Sequence, residues 1–325
     1  MSKFGIGICL AALAAAAPGA NAAEFRLLTS WDKTNPAMVL LAEGFAKNVA
    51  ATSQGQIKFV LSGPETVPPF EQLQPVQSGV FQLLFTHGVY HYGTTGISIG
   101  LDALRGTLEQ RRQSGIAEAV DKHYQKLGLK VVALPISHTG GYHIVLRAPV
   151  TPAGDLAGRK LRGTPSYHPV FTMLGASAVV LPGGEVYGAL EKGVVDGAAW
   201  PASGVLSMRW YEVAKYMLRP GFGVNHYLFL MNLGAWNKLT DAERQLLLAE
   251  GRKIEEVWYR EYDRMVAEEE KALIAKGMQV TEMGPAQKAK LQQAWAEGLW
   301  TLAEKKSGKD VQDLRALAKS KGLTD

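Results

Sequence analysis

The sequence predicts a two-lobed α/β architecture with one long helix running along both lobes. Three observations carry this. Short buried-type strands and amphipathic helices alternate from residue 24 to residue 135, the pattern that builds an α/β layer around a largely parallel sheet. The alternation restarts near Arg147 and continues to Ala198, a second unit of the same design. Finally, one helical stretch runs from Thr240 to Lys276, on the order of 55 Å at 1.5 Å per residue and longer than a single lobe requires.

In chain order, EFRLLT (Glu24 to Thr29) reads as the opening strand, Met38 to Ser53 as an amphipathic helix ending near Gly55, and QIKFVL (Gln56 to Leu61) as the second strand. Glu71 to Ser78 is a short helix stopped by Gly79, and Phe81 to Thr86 a strand. Gly115 to Leu127 is helical with Gly128 as its stop, and Lys130 to Pro135 is a buried-type strand. TGGYHIVLR, ending at Arg147, supplies a strand that crosses between lobes. Beyond it come strand Lys160 to Gly163, helix His168 to Leu174, strand Ala178 to Leu181, helix Gly184 to Glu191 and strand Val195 to Ala198. The long helix opens on a capping box, Thr240 with Glu243 three residues later, and stops at Gly277. Its apolar residues Leu247, Ile254, Trp258, Tyr262, Met265 and Ile274 recur at helical spacing without a strict heptad, which favours packing along two lobes over a coiled coil. The expected division is residues 24–146 with about 228–262 for lobe I, and 147–227 with about 263–325 for lobe II.

The N-terminus reads as an export signal over residues 1–23. Lys3 provides a positive charge, Phe4 to Ala17 is almost uninterruptedly apolar, and Ala20-Asn21-Ala22 has the small-x-small pattern of a cleavage site. The run is short of the roughly 20 residues a membrane span needs, so a periplasmic protein is expected. The single cysteine, Cys9, falls inside this run, which leaves the mature chain without a disulfide or a thiolate metal ligand. Without Lys3 the charge is 34 basic against 30 acidic residues, net +4, scattered and with no run longer than Arg111-Arg112 or Lys305-Lys306. Neither a basic stripe nor a nucleic-acid-binding motif is present, so no nucleic-acid partner is expected.

Chemistry concentrates between Asp155 and Pro201, DLAGRKLRGTPSYHPVFTMLGASAVVLPGGEVYGALEKGVVDGAAWP. Strand alternation in GRKLR turns Leu161 to the core and lets Arg162 leave the strand end into a cleft. A guanidinium fork suits a carboxylate better than a lysine does, because two parallel hydrogen bonds fix orientation as well as charge. An ordinary surface arginine is the alternative. No HExxH, GxSxG, GxxxxGK[ST] or GxGxxG motif occurs, so the chain is expected not to be an enzyme and to need no cofactor. Glu185 follows Gly183-Gly184 at a helix start, where the local dipole favours a carboxylate.

This segment resembles the signature of the periplasmic solute-binding proteins of tripartite ATP-independent (TRAP) transporters. The likeness extends to Ser30-Trp31, GPETVPPFEQLQPVQSG, LGLKVVALP and the long helix, and is strongest toward the branch that binds 2-oxo acids and related monocarboxylates. It implies a periplasmic binding protein fold whose long helix spans both lobes, with Arg162 clamping a solute carboxylate. Trp200, Tyr142, His87, Trp31, Glu65 and Tyr167 are implied around it, with Tyr90 a further aromatic candidate. The branch carries a glutamate, used in some members with a cation, where this chain has Ala199, which implies binding without a metal. Gly141, Gly183 and Trp200 stand where the sialic-acid branch has arginine, phenylalanine and asparagine; that argues against sialic acid and implies a cleft widened at the two glycines. The expected partners are a small organic acid and, by transient docking, the TRAP membrane permease. A binder for an ATP-driven importer, or a secreted α/β hydrolase or lyase on a carboxylated substrate, remain the alternatives.

Overall fold

The computed structural model describes residues 23–325. The expected export signal lies outside these residues, apart from Ala23, which opens the first strand. The strands are β1 (Ala23–Thr29), β2 (Ile57–Ser62), β3 (Leu83–Thr86), β4 (Leu129–Ala133), β5 (Ile136–Leu146), β6 (Lys160–Arg162), β7 (Ser177–Val179), β8 (Gly197–Pro201), β9 (Tyr216–His226), β10 (Leu228–Asn232) and β11 (Gln279–Glu282). They form a five-stranded sheet in the order β2-β1-β3-β10-β4 and a six-stranded sheet in the order β11-β9-β5-β8-β6-β7. Helices cover both sheets, giving a two-lobed α/β fold.

Both sheets are mixed, which corrects the expectation of largely parallel ones. In the first sheet β10 runs antiparallel to β3 and β4; in the second β5 runs antiparallel to β8 and β9. Each reversed strand is the one by which the chain enters from the other sheet. The chain leaves the first sheet after β4, enters the second along β5, and returns along β10. The two crossings lie side by side, with the Tyr227 N–H donating to the Pro135 carbonyl at 2.8 Å.

Strand β8 begins later than its Val-rich sequence suggests. The Val194 and Val195 amides still bond back to the Ala189 carbonyl, finishing the preceding helix before extended backbone can start. The Met38–Thr52 helix also departs from regularity, its first six residues being wound as a π-helix.

The long helix, Asp241–Ala275, has 35 residues and the expected Thr240–Glu243 capping box. Its first half is tied to the first lobe. Glu250 accepts from the Thr52 hydroxyl at 2.9 Å, and Glu255 from the Leu134 N–H at 2.8 Å. A Cβ on Gly251 would lie 2.6 Å from the Val132 carbonyl oxygen, so glycine is what lets the helix sit against β4. Its second half is tied to the other lobe. The Tyr262 hydroxyl donates to the Gly141 carbonyl at 2.7 Å and accepts from the Ala202 N–H at 3.2 Å, while the buried Glu269 accepts from the Gly204 and Leu206 amides. The helix therefore spans both lobes.

A second long helix, Pro285–Ser320, bends at Gly308. Trp300 packs over Gly100, whose Cβ would meet the indole at 2.3 Å, and Gly298 faces Pro169 at 2.2 Å by the same measure. This helix too touches elements on either side of the crossing. Among the described residues no helix is long and apolar enough to cross a membrane.

Candidate functional site

The C-terminal ends of the parallel strands in both sheets point toward one another, the place where open α/β sheets put ligands. Trp31 lies just past the end of β1 and His87 just past β3; Arg162 ends β6 and Trp200 lies near the end of β8. Tyr142 comes from β5, Asn225 from β9 and Tyr167 from the turn after β6. All seven line one cavity with about 370 Å³ of empty space, together with Tyr90, Thr164 and Ser166. Only about 30 Å³ of it admits the centre of a water-sized sphere, so the walls as they stand leave room for ordered water and a solute enters only when they part. Of the residues expected from sequence, Glu65 is not brought in. It is exposed on a separate face beside Asp32 and Lys33, where its carboxylate accepts from the Gly63 N–H at 2.9 Å and braces its own turn.

Arg162 is fully buried. Its Nε and Nη2 both donate to the Leu181 carbonyl, at 3.0 and 2.6 Å, and Nη1 donates to the Ala199 carbonyl at 3.2 Å. The guanidinium lies 5.1 Å from the centre of the Trp200 ring. Three of its five hydrogens are thereby used. The carbonyls leave one hydrogen on Nη1 and one on Nη2, with the Tyr90 hydroxyl hydrogen-bonded to the guanidinium, and a carboxylate that takes the place of that hydroxyl can accept through two parallel bonds. No carboxylate among the described residues pairs with it. Burial lowers its pKa, and the hydroxyls of Tyr90 and Tyr167 oppose that shift.

Behind the opposite wall lies a polar network centred on Asp102, fully buried in the turn Ile99–Ala103. The Tyr142 hydroxyl donates to its Oδ2 at 2.9 Å, His87 Nε2 lies 3.0 Å from the same oxygen, and His226 Nδ1 bonds its Oδ1. Burial raises the Asp102 pKa, but the two histidines and their hydrogen bonds more than offset this and hold it at about 2. Burial, then the Asp102 charge, pushes the Tyr142 phenol well above its ordinary value. His87, Asp102 and His226 lie close enough to suggest a cation site. The ring protonation opposes it: His87 Nδ1 accepts from the Val89 N–H at 3.1 Å, which puts the proton of the neutral ring on Nε2, facing the carboxylate where a cation would need a lone pair.

Sequence reasoning missed Asp102, Asn225, His226 and Ser166. For Asp102 the signal was present as a lone charge inside the apolar run ISIGLDAL. The expected widening of the cleft at Gly183 and Gly141 is not what the structure shows. A Cβ on Gly183 would lie 2.6 Å from the Trp200 indole, and one on Gly141 would lie 2.4 Å from the Asn225 backbone nitrogen. The first glycine makes room for Trp200 and the second for the close approach of β5 to β9, so neither leaves open space for a solute.

Comparison with known proteins agrees with this architecture. The model of the family DctP, described as bacterial extracellular solute-binding protein, family 7, matches residues 29–306. A monocarboxylate 2-oxoacid-binding periplasmic protein of Nostoc is 28% identical over 269 residues, 78% of this chain and 72% of that one. Two solved structures share the fold. One is a TRAP periplasmic solute-binding protein of Desulfovibrio salexigens with bound orotic acid, at 21% identity and a TM-score of 0.81, covering 92% of this chain and 98% of that one. The other is a Bordetella pertussis extracytoplasmic solute receptor binding pyroglutamic acid, at 21% identity and a TM-score of 0.79, covering 92% and 100%.

Proposed function

The chain belongs to the DctP family of bacterial extracellular solute-binding proteins, family 7, and on that premise we propose that it captures a small monocarboxylate on Arg162 and delivers it to a TRAP membrane permease. It is a periplasmic binding protein and not an enzyme. The observation that carries the clamp is the buried guanidinium of Arg162, which has carbonyl oxygens on two sides and no carboxylate partner among the described residues. An unpaired buried charge is costly, and a solute carboxylate supplies the missing counter-charge.

Trp31 and His87 approach the cavity from one sheet, and Arg162 and Trp200 from the other. A solute touching both sets binds the closed arrangement more tightly than an open one, which is how binding drives closure. The lining holds no second arginine and no lysine. A second carboxylate would be desolvated there without a partner, so a monocarboxylate fits better than a dicarboxylate. Trp31, Tyr90, Tyr142, Tyr167 and Trp200 offer faces for an apolar or aromatic body. Mass spectrometry of the ligand co-purifying with the protein, followed by calorimetric titration of that acid beside succinate, tests the reading. Tighter binding by succinate would overturn it.

A further inference from the structure

We propose that the cavity selects an acid with a hydrogen-bond donor, a hydroxyl or N–H, on the carbon next to its carboxylate, and that Asn225 Oδ1 is the acceptor that reads it. The inference deepens the monocarboxylate reading and rests on it. Asn225 lines the cavity, is 1% exposed, and its Oδ1 has no hydrogen-bond partner. A buried acceptor without a partner is rare and points to a group that arrives with the ligand.

The network behind the wall fixes which way this amide faces. Asp102 is ionised and can only accept, so the Tyr142 hydroxyl must give it the proton of their 2.9 Å bond. The Tyr142 oxygen is then an acceptor, and Asn225 meets it with the amide nitrogen, Nδ2 donating at 3.3 Å. The other end of the amide, Oδ1, is left for the solute. The backbone is held as well, since the Asn225 N–H donates to Ser137 Oγ at 2.8 Å. One buried carboxylate thus sets the polarity of a side chain two hydrogen bonds away. A 2-hydroxy acid donates to Oδ1, whereas a 2-oxo acid brings a second acceptor against it and leaves both unsatisfied.

The test is calorimetric titration of the intact protein with matched pairs: lactate against pyruvate, and 2-hydroxy-3-methylbutanoate against 2-oxo-3-methylbutanoate. The hydroxy acid of each pair is expected to bind about tenfold more tightly or better. In Asn225→Leu the preference is expected to fall to within about twofold through weaker hydroxy-acid binding. Tyr142→Phe, which removes the group that orients the amide, should erode it as well and serves if Asn225→Leu does not fold. Oxo acids binding as tightly as their hydroxy partners, or a preference that survives in both folded variants, would overturn the inference alone. Absence of binding by all four acids, together with absence of any monocarboxylate among the co-purified ligands, would overturn the monocarboxylate reading and this inference with it.

Discussion

Replacing Arg162 by alanine removes the guanidinium and leaves the Leu181 and Ala199 carbonyls without their donor. Two effects on the unliganded protein oppose each other. The orphaned carbonyls cost stability, while loss of a buried, unpaired charge restores some. The variant should therefore fold, with stability lowered by about 1–2 kcal/mol. Binding has no such offset. A buried, charge-assisted, two-bond contact to the solute carboxylate is lost, about 3 kcal/mol, which weakens affinity about a hundredfold. Thermal unfolding with and without the co-purified acid separates the two effects. At a ligand concentration about a hundred times the parental Kd, the parent gains about 2.7 kcal/mol, whereas the variant at the same concentration gains about 0.4 kcal/mol. Arg162→Lys should resemble the alanine variant, because a point charge does not reproduce the fork. An Arg162→Ala protein still stabilised by more than about 2 kcal/mol under those conditions would refute the clamp.

Three further outcomes are expected. With Ala199 in place of a ligating glutamate and its carbonyl engaged by Arg162, affinity should be the same before and after exhaustive chelation; a loss restored by calcium would contradict this. Tyr262→Phe removes the hydroxyl bonded to the Gly141 carbonyl and the Ala202 N–H, which keep their own 2.8 Å bond to each other, and should lower stability by about 0.5–1.5 kcal/mol in urea unfolding, with an unchanged midpoint counting against this hydroxyl as a tie between the lobes. Burial holds His91 and His143 neutral, with pKa values near 3 instead of 6.5. The unfolded chain therefore binds the extra protons as pH falls, so the stability present above pH 6.5 is progressively lost toward pH 3. For two such groups the loss between pH 6.5 and pH 5 is about 3 kcal/mol, and a flat stability profile across that window would show that they are not buried neutral.

Legibility in the sequence followed the range of the interactions. The long helix was readable to within a residue because its capping box and its stop at Gly277 are local. The place of Arg162 at the end of a short strand facing the cavity was readable because its strand, its turn and the segment around it are contiguous. The reversal of β10 was not, since LFLMN has the same composition whichever way it runs, and its direction is set by a crossing made elsewhere in the chain. The Pro285–Ser320 helix carried a signal, proline in its first turn and Trp295 and Leu299 four residues apart, that the reading did not use. In the site, Tyr142 was expected as an aromatic wall, yet its hydroxyl also joins the Asp102 network, and Asp102, Asn225 and His226 come from segments 40 to 124 residues distant from their partners. No periodicity encodes such pairings.

The place of β10 in the first sheet bears on how the protein is made. It is an interior strand, between β3 and β4, yet it follows β4 by about a hundred residues of chain devoted to the other lobe. Until residues 228–232 are available to pair, β3 and β4 lack the strand that joins them, and the apolar faces of the first lobe have no finished layer to bury themselves in. Local contacts cannot complete either lobe ahead of the other, and long-range pairing of this kind slows folding. The topology itself thus keeps the first lobe loose until most of the chain is available to fold.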